Sequence, residues 1–229
     1  MSGITTASVL STFSTCEISD ALIKLKVAHG GYIPDIHMIS PTTSSDLRIC
    51  SPAYTVKMVP GSDTSSPKLT EHFVDTAPAG SVVVIDAPPE TKNAVWGGLM
   101  TAGVQARGAT GVIISGRCRD LAEHRALGFP VFSRGHSTLG QSPFTRPSAV
   151  NVPVTILPQG LGADSFPPVT IHPGDWMVAD EDGVVCVPRS LESQVIELAT
   201  KGRAIDALCM DDIKAGKGVQ RSFKLHRGK

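Results

Sequence analysis

The chain has 229 residues, 41% of them hydrophobic and 18% charged, with 21 basic residues balancing 21 acidic ones. That balance supports a buried core, excludes a disordered or polyelectrolyte chain, and removes the electrostatic footprint of a nucleic-acid or anionic-membrane binder. The longest apolar run, at Val82 to Ile85, falls far short of the roughly 20 residues a transmembrane helix needs.

The N-terminal segment MSGITTASVLSTFSTCEISD lacks a basic n-region and a sustained apolar stretch, so a cytosolic address is expected. Residues 5–26 predict two short helices, broken near Ser14 and Thr15, whose hydroxyls suit an N-cap, with Glu17 and Asp20 in the early turns. Gly30 and Gly31 end the second. ICSPAYTVKMV (49–59) reads as a strand interrupted by Pro52, and PGSDTSSPK (60–68) as a polar loop. SVVVIDA (81–87) is a β-branched run, the mark of a strand buried on both faces. The loop PPETKNAVW follows, then a helix over 97–108 entered at a glycine pair, then a buried strand at 111–116. Strand, helix and strand in this order form a βαβ crossover with parallel strands.

Past residue 130 the pattern turns to short strands: PVFSRG, AVNVPVTIL (149–157) and the hairpin-like VTIHPGDWMVADEDGVVCVP (169–188). A C-terminal amphipathic helix is expected over 190–214 with Ser190 as N-cap, which gives one domain over 1–229. Cys16, Cys50, Cys118, Cys186 and Cys209 are odd in number and widely spaced, so reduced thiols are expected and a metal knuckle is not. Asp175, Asp180 and Asp182 lack EF-hand spacing and read as turn residues. His136, His172 and the other histidines stand isolated.

In an open α/β sheet ligands bind beyond the carboxyl ends of the strands, which directs attention to Asp86, to Gly97 and Gly98, and to GRCRDLAEHR. A helix opened by two glycines offers free amides and a close approach to a carboxylate or phosphate; it also describes an ordinary turn. Asp120 and Glu123 share one side of a turn if the segment is helical, a geometry able to hold a hard divalent ion, and Arg119 offers a bidentate fork to a carboxylate. The same residues suit a solvated surface cluster of weak ion pairs.

Through ISDAL (18–22), GGY (30–32), GGLMTAGVQARGATGVIISGRCRD (97–120) and PGDWMVADEDGVVCVP (173–188), the chain resembles the RraA-like family, which includes the class II 4-hydroxy-4-methyl-2-oxoglutarate aldolases. Gly98, twenty intervening residues, Arg119-Asp120, two more and Glu123 resemble the motif of its fungal members. The resemblance implies an α/β fold, a layered β/β/α sandwich of the swivelling phosphohistidine-domain type with a central βαβ unit.

It further implies cleavage of 4-hydroxy-2-oxo acids to pyruvate plus a carbonyl product, with oxaloacetate decarboxylation at the same site. Asp120 would be a direct Mg²⁺ or Mn²⁺ ligand, Arg119 would bind the substrate carboxylate and stabilise the 2-oxo group, and the amides of Gly98, Leu99, Met100 and Thr101 would hold the pyruvyl carboxylate. Bacterial members of the family carry an aspartate at the position of Gly98, which orders a water on the metal. Glu123 would supply that carboxylate from another direction. Asp206 is the match for an acid donated by a neighbouring subunit's C-terminal helix, and the assembly implied is a homotrimer or a stacked hexamer. Loops 60–70, 87–96 and 137–148 would line or cover the site. Two other readings stay open: a non-catalytic regulator of the RraA kind that binds an RNA-processing protein, and a lyase with a secondary-metabolite substrate.

Overall fold

The computed structural model describes residues 8–42, 47–160 and 166–228. A 3₁₀ turn (Val9–Thr12) leads into α1 (Thr15–Lys24). Ser14 caps α1 reciprocally: its hydroxyl accepts from the Glu17 amide at 3.2 Å, and its own amide donates to the Glu17 carboxylate at 2.8 Å. Residues 5–7 of the expected helical stretch lie outside the described residues.

One long strand organises the sheets. β3 (Ile49–Pro60) pairs antiparallel over Ile49 to Pro52 with β11 (Trp176–Asp180), then parallel over Ala53 to Lys57 with β4 (Val82–Asp86). Pro52 therefore does not interrupt the strand, contrary to the sequence reading. It stands where one partner gives way to the next, a place where a residue without an N–H is tolerated. Beyond β4 follow β6 (Gly111–Cys118) and β7 (Val131–His136), all parallel, with β2 (His37–Ser40) antiparallel at the edge. On the other side β11 forms a hairpin with β12 (Gly183–Val187), which pairs with β1 (Tyr32–Ile33), and β8 (Thr145–Val150) pairs antiparallel with the Val56–Pro60 end of β3.

Alternating side chains sort the core into layers. Val82, Val84, Ile113 and Phe132 of the parallel strands meet Met177, Ala179, Val184 and Cys186 of the hairpin in a shared core between two sheet faces. Val83, Ile85, Val112 and Ile114 point the other way, towards α2 (Gly98–Ala106) and α3 (Leu121–Ala126). Val178, Val185 and Val187 face α1 and α4 (Glu192–Lys214). The result is a mixed α/β fold with a mainly sheet core. Its layering departs from the expected β/β/α by having helices on both outer faces.

Three local expectations are corrected. The hairpin-like stretch 169–188 forms a hairpin only between β11 and β12: β10 (Val169–Ile171) pairs instead with β9 (Val154–Ile156), and between β10 and β11 the Asp175 carboxylate accepts from the amides of His172 and Arg189. Ser190 lies inside a 3₁₀ turn (Arg189–Leu191) and does not cap α4, whose Glu192 instead accepts from Trp176 Nε1 at 2.7 Å and from the Ser8 hydroxyl. After Gly216 and Gly218, both at positive φ, an unexpected α5 (Val219–His226) folds back on α4 through His226 and Asp212. No helix among the described residues is long and apolar enough to cross a membrane.

Candidate active site

The site begins where two parallel strand ends lie side by side. β5 (Ala94–Trp96), inside what the sequence presents as a loop, pairs with β6 through Ala94 with Arg117 and Trp96 with Cys118. The Arg119 amide donates to the Trp96 carbonyl at 2.9 Å. Gly97 and Arg119 consequently leave the sheet next to each other, at the mouth of a cleft of about 490 Å³ that Leu99, Met100, Asp120, Glu123 and Gln141 also line.

Asp120 is the residue held in an unusual shape. It occupies the N-cap position of α3 with φ 62 and ψ 42, a left-handed conformation that disfavours most non-glycine residues and costs on the order of 1 to 3 kcal/mol. Its side chain makes no helix cap. It turns into the cleft, where Oδ2 accepts from the Gly98 amide at 3.0 Å and lies 3.5 Å from Arg119 Nε.

The glycine pair makes that arrangement possible. A Cβ on Gly97 would stand 2.6 Å from Asp120 Oδ2 and 3.4 Å from Arg119 Nε. A Cβ on Gly98 would collide with Glu123 Oε2 and stand 2.6 Å from Glu123 Cδ. The Glu123 carboxylate thus fills the space that a side chain at position 98 would take.

The amides implied to hold a carboxylate are mostly engaged. That of Gly98 donates to Asp120, and those of Met100 and Thr101 donate to the Gly97 carbonyl at 3.1 and 3.2 Å. The Leu99 amide has no partner among the described residues, and the Leu99 side chain is 88% exposed at the cleft rim. Thr101 is wholly buried: its hydroxyl accepts from Trp96 Nε1 at 2.8 Å and lies 3.0 Å from His124 Nδ1. This layer under the cleft locks β5, α2 and α3 together. Burial holds the His124 imidazole below its ordinary pKa.

From above, the loop over 137–144 closes on Arg119. A Cβ on Gly140 would stand 2.8 Å from Arg119 Nη1, so the backbone of the loop lies against the guanidinium. The Ala94 amide donates to the Leu139 carbonyl at 2.9 Å and ties the loop to β5. Of the loops expected to line or cover the site, 87–96 contributes Ala94, Val95 and Trp96 to the cleft and 137–148 contributes Gln141. The 60–70 loop contributes no residue to the cleft lining: Asp63 accepts from the amides and hydroxyls of Ser65 and Ser66, and Arg146 donates to the carbonyls of Asp63, Ser66 and Pro67. Sequence reasoning missed β5 and Gln141; the short apolar run AVW in a polar loop is the available signal for the first.

Asp206 stands apart. It lines a separate cavity of about 420 Å³ with residues of α1, α4 and α5, and accepts from Arg227 Nη2 at 2.6 Å. Among the described residues no group of three or more His, Cys, Asp or Glu side chains is gathered as a metal site. The carboxylates in the cleft are Asp120 and Glu123, and Glu123 has no hydrogen-bond partner for its carboxylate among the described residues. Hard oxygen donors in this number fit Mg²⁺ or Mn²⁺, ions held through one or two carboxylates with the remaining positions left to water and substrate oxygens.

The model of the RraA-like family, described as Aldolase/RraA, matches residues 15–186. A protein of Halalkalibacterium halodurans named "Putative 4-hydroxy-4-methyl-2-oxoglutarate aldolase" is 32% identical over 195 residues, which are 85% of this chain and 82% of that protein. Among solved structures, an uncharacterised protein from Pseudomonas syringae pv. tomato superposes with a TM-score of 0.74 at 29% identity, covering 93% of this chain and 94% of that one. RraAS2 of Streptomyces coelicolor, described as an unusual member of the RNase ES inhibitor RraA protein family, gives 0.70 at 23% identity over 91% and 96% of the two chains, a likeness of fold.

Proposed function

Because the chain belongs to the RraA-like family, we propose that it is a divalent-metal-dependent carbon–carbon lyase that cleaves 4-hydroxy-2-oxo acids to pyruvate and a carbonyl product and decarboxylates oxaloacetate. The observation that carries this reading is the Glu123 carboxylate over Gly98, on the same cleft as the Arg119–Asp120 pair. Asp120 would hold Mg²⁺ or Mn²⁺ directly and Glu123 through a bound water, and the ion would supply Lewis-acid electron withdrawal when bound.

The chain's own groups divide the remaining work. Arg119 presents a planar fork to the substrate carboxylate and 2-oxo oxygen, with its guanidinium steadied by the backbone at Gly140. The Leu99 amide, at the positive end of α2, adds a donor for the same anionic end. Glu123 accepts the proton of the C4 hydroxyl; the O–H pair becomes the new carbonyl bond, the C3–C4 bond breaks, and its electrons pass into the enolate of pyruvate. Arg119 stabilises the charge where it develops. Protonation at C3 then completes pyruvate. Oxaloacetate gives the same enolate by loss of CO₂ and needs no base.

We also propose a homotrimer or stacked hexamer in the cytoplasm, in which Asp206 on the exposed side of α4 reaches a neighbour's cleft. The deciding experiment is pyruvate release from a panel of 2-oxo acids with Mg²⁺, with Mn²⁺ and with chelator. Absence of turnover on every member would leave the regulator reading. Light scattering that gives an active monomer would remove the shared site.

A further inference from the structure

We propose that Gln141 determines substrate specificity by hydrogen-bonding a hydroxyl group of the substrate, so that the site prefers hydroxylated 2-oxo acids to oxaloacetate; this rests on the lyase reading above. The main chain at Gln141 is fixed. Its carbonyl accepts from the amides of Phe144 and Thr145 at 3.0 and 2.9 Å and from Asn93 Nδ2 at 3.4 Å, and the Phe144 carbonyl accepts from Gly61 at 2.7 Å. Nothing comparable fixes the side chain. It lines the cleft, and its Oε1 is buried with no hydrogen-bond partner among the described residues.

A buried amide oxygen without a partner is costly to leave, and native structures seldom do so without a reason. The reason is given by position. Gly140, the neighbouring residue, lies against Arg119 Nη1, and Gln141 lines the same cleft as Arg119, so a molecule whose carboxylate sat on that guanidinium would share the cleft with the Gln141 side chain. The group it presents there must suit an amide. A carboxylate or keto oxygen only accepts, and so fits only the NH₂ half. A hydroxyl both donates and accepts, and satisfies the amide whichever way the amide is turned. Oxaloacetate in its keto form has no hydroxyl to offer, whereas a 4-hydroxy-2-oxo acid does.

The test uses the full chain carrying Gln141→Met, which keeps length and volume but loses the amide, beside Gln141→Asn, which keeps the amide and withdraws it. For each, kcat/KM is measured at saturating Mn²⁺ for cleavage of a 4-hydroxy-2-oxo acid and for oxaloacetate decarboxylation. The ratio of the two should fall in both variants, by roughly 10- to 100-fold for Met, because a polar site that loses its hydroxyl partner loses discrimination steeply. A ratio within about threefold of wild type in both variants, with both reactions still running, overturns the role of Gln141 and leaves the lyase reading intact. A wild-type protein that turns over neither substrate overturns both. Arg119→Met, which should lower both reactions together, marks the pattern of a lesion that does not read the hydroxyl.

Discussion

Glu123 occupies the side-chain space of Gly98: a Cβ built on that glycine would stand 2.9 Å from Glu123 Cβ and 2.6 Å from its Cδ. Two residues separated by two elements of secondary structure therefore share one volume, and only one of them can fill it. The carboxylate is delivered from the first turn of α3 to a place that a residue at the start of α2 could also serve.

Exchange should consequently succeed where addition fails. Gly98→Ala should expel the Glu123 carboxylate and cost aldol cleavage about 10²-fold or more, the scale of a lost general base. Gly98→Asp alone should be similarly damaging, because two carboxylates compete for one space. Gly98→Asp combined with Glu123→Ala should recover at least part of the pyruvate release. A double variant no better than either single would mean that the shared volume carries no shared chemistry.

Arg119→Lys should behave as a severe change. Lysine keeps the charge but not the fork that meets both a carboxylate and the oxygen that becomes negative. The expected loss in kcat/KM is about 2 to 4 kcal/mol, the worth of one preorganised charge-stabilising donor. Near wild-type turnover in steady-state assays would reduce Arg119 to an ion-pair partner of Asp120, which it meets at 3.5 Å.

The two carboxylates should separate by reaction. Asp120→Asn should abolish Mn²⁺ binding in calorimetry and with it both activities. Glu123→Gln should keep measurable Mn²⁺ affinity and lose aldol cleavage about 10² to 10⁴ times more than decarboxylation, since only the first needs a proton removed from a hydroxyl. Equal losses in the two reactions would assign Glu123 to metal binding alone.

Away from the cleft, Asp86 sits at the end of β4, where burial raises its carboxyl to about 6 in spite of Lys57 and Arg134, which pull it down. The folded chain holds this proton more tightly than the unfolded one. The contribution to stability is therefore fully present below about pH 4 and is lost as pH rises through about 6. Asp86→Asn removes the titration. Its stability relative to wild type should improve between pH 4 and pH 7.5 by about 2 to 3 kcal/mol, read from denaturant melts at both pH values. A pH-independent difference would show that the carboxyl is better solvated than its surroundings suggest.

Much of the frame can be read along the chain. The run Val82 to Ile85 announces a strand covered on both faces, the glycine pair announces a helix start, and Ser14 with Glu17 announces a cap, because each depends on neighbours within a few residues. Arg119, Asp120 and Glu123 stand out for the same reason, as charged residues placed just past a buried strand. Partnership between distant segments is another matter. Pro52 looks like a break until β11 and β4 are seen to hand over at it, and Ala94 to Trp96 looks like a loop until β6 supplies its hydrogen bonds. The Glu123 carboxylate in the place of a Gly98 side chain, the loop backbone on Arg119 and the Gln141 oxygen without a partner among the described residues arise only when α2, α3 and the 137–144 loop converge. Local pattern determines which face of an element is apolar; the packing of remote elements determines which polar groups are left facing one another, and that is where the chemistry of this cleft lies.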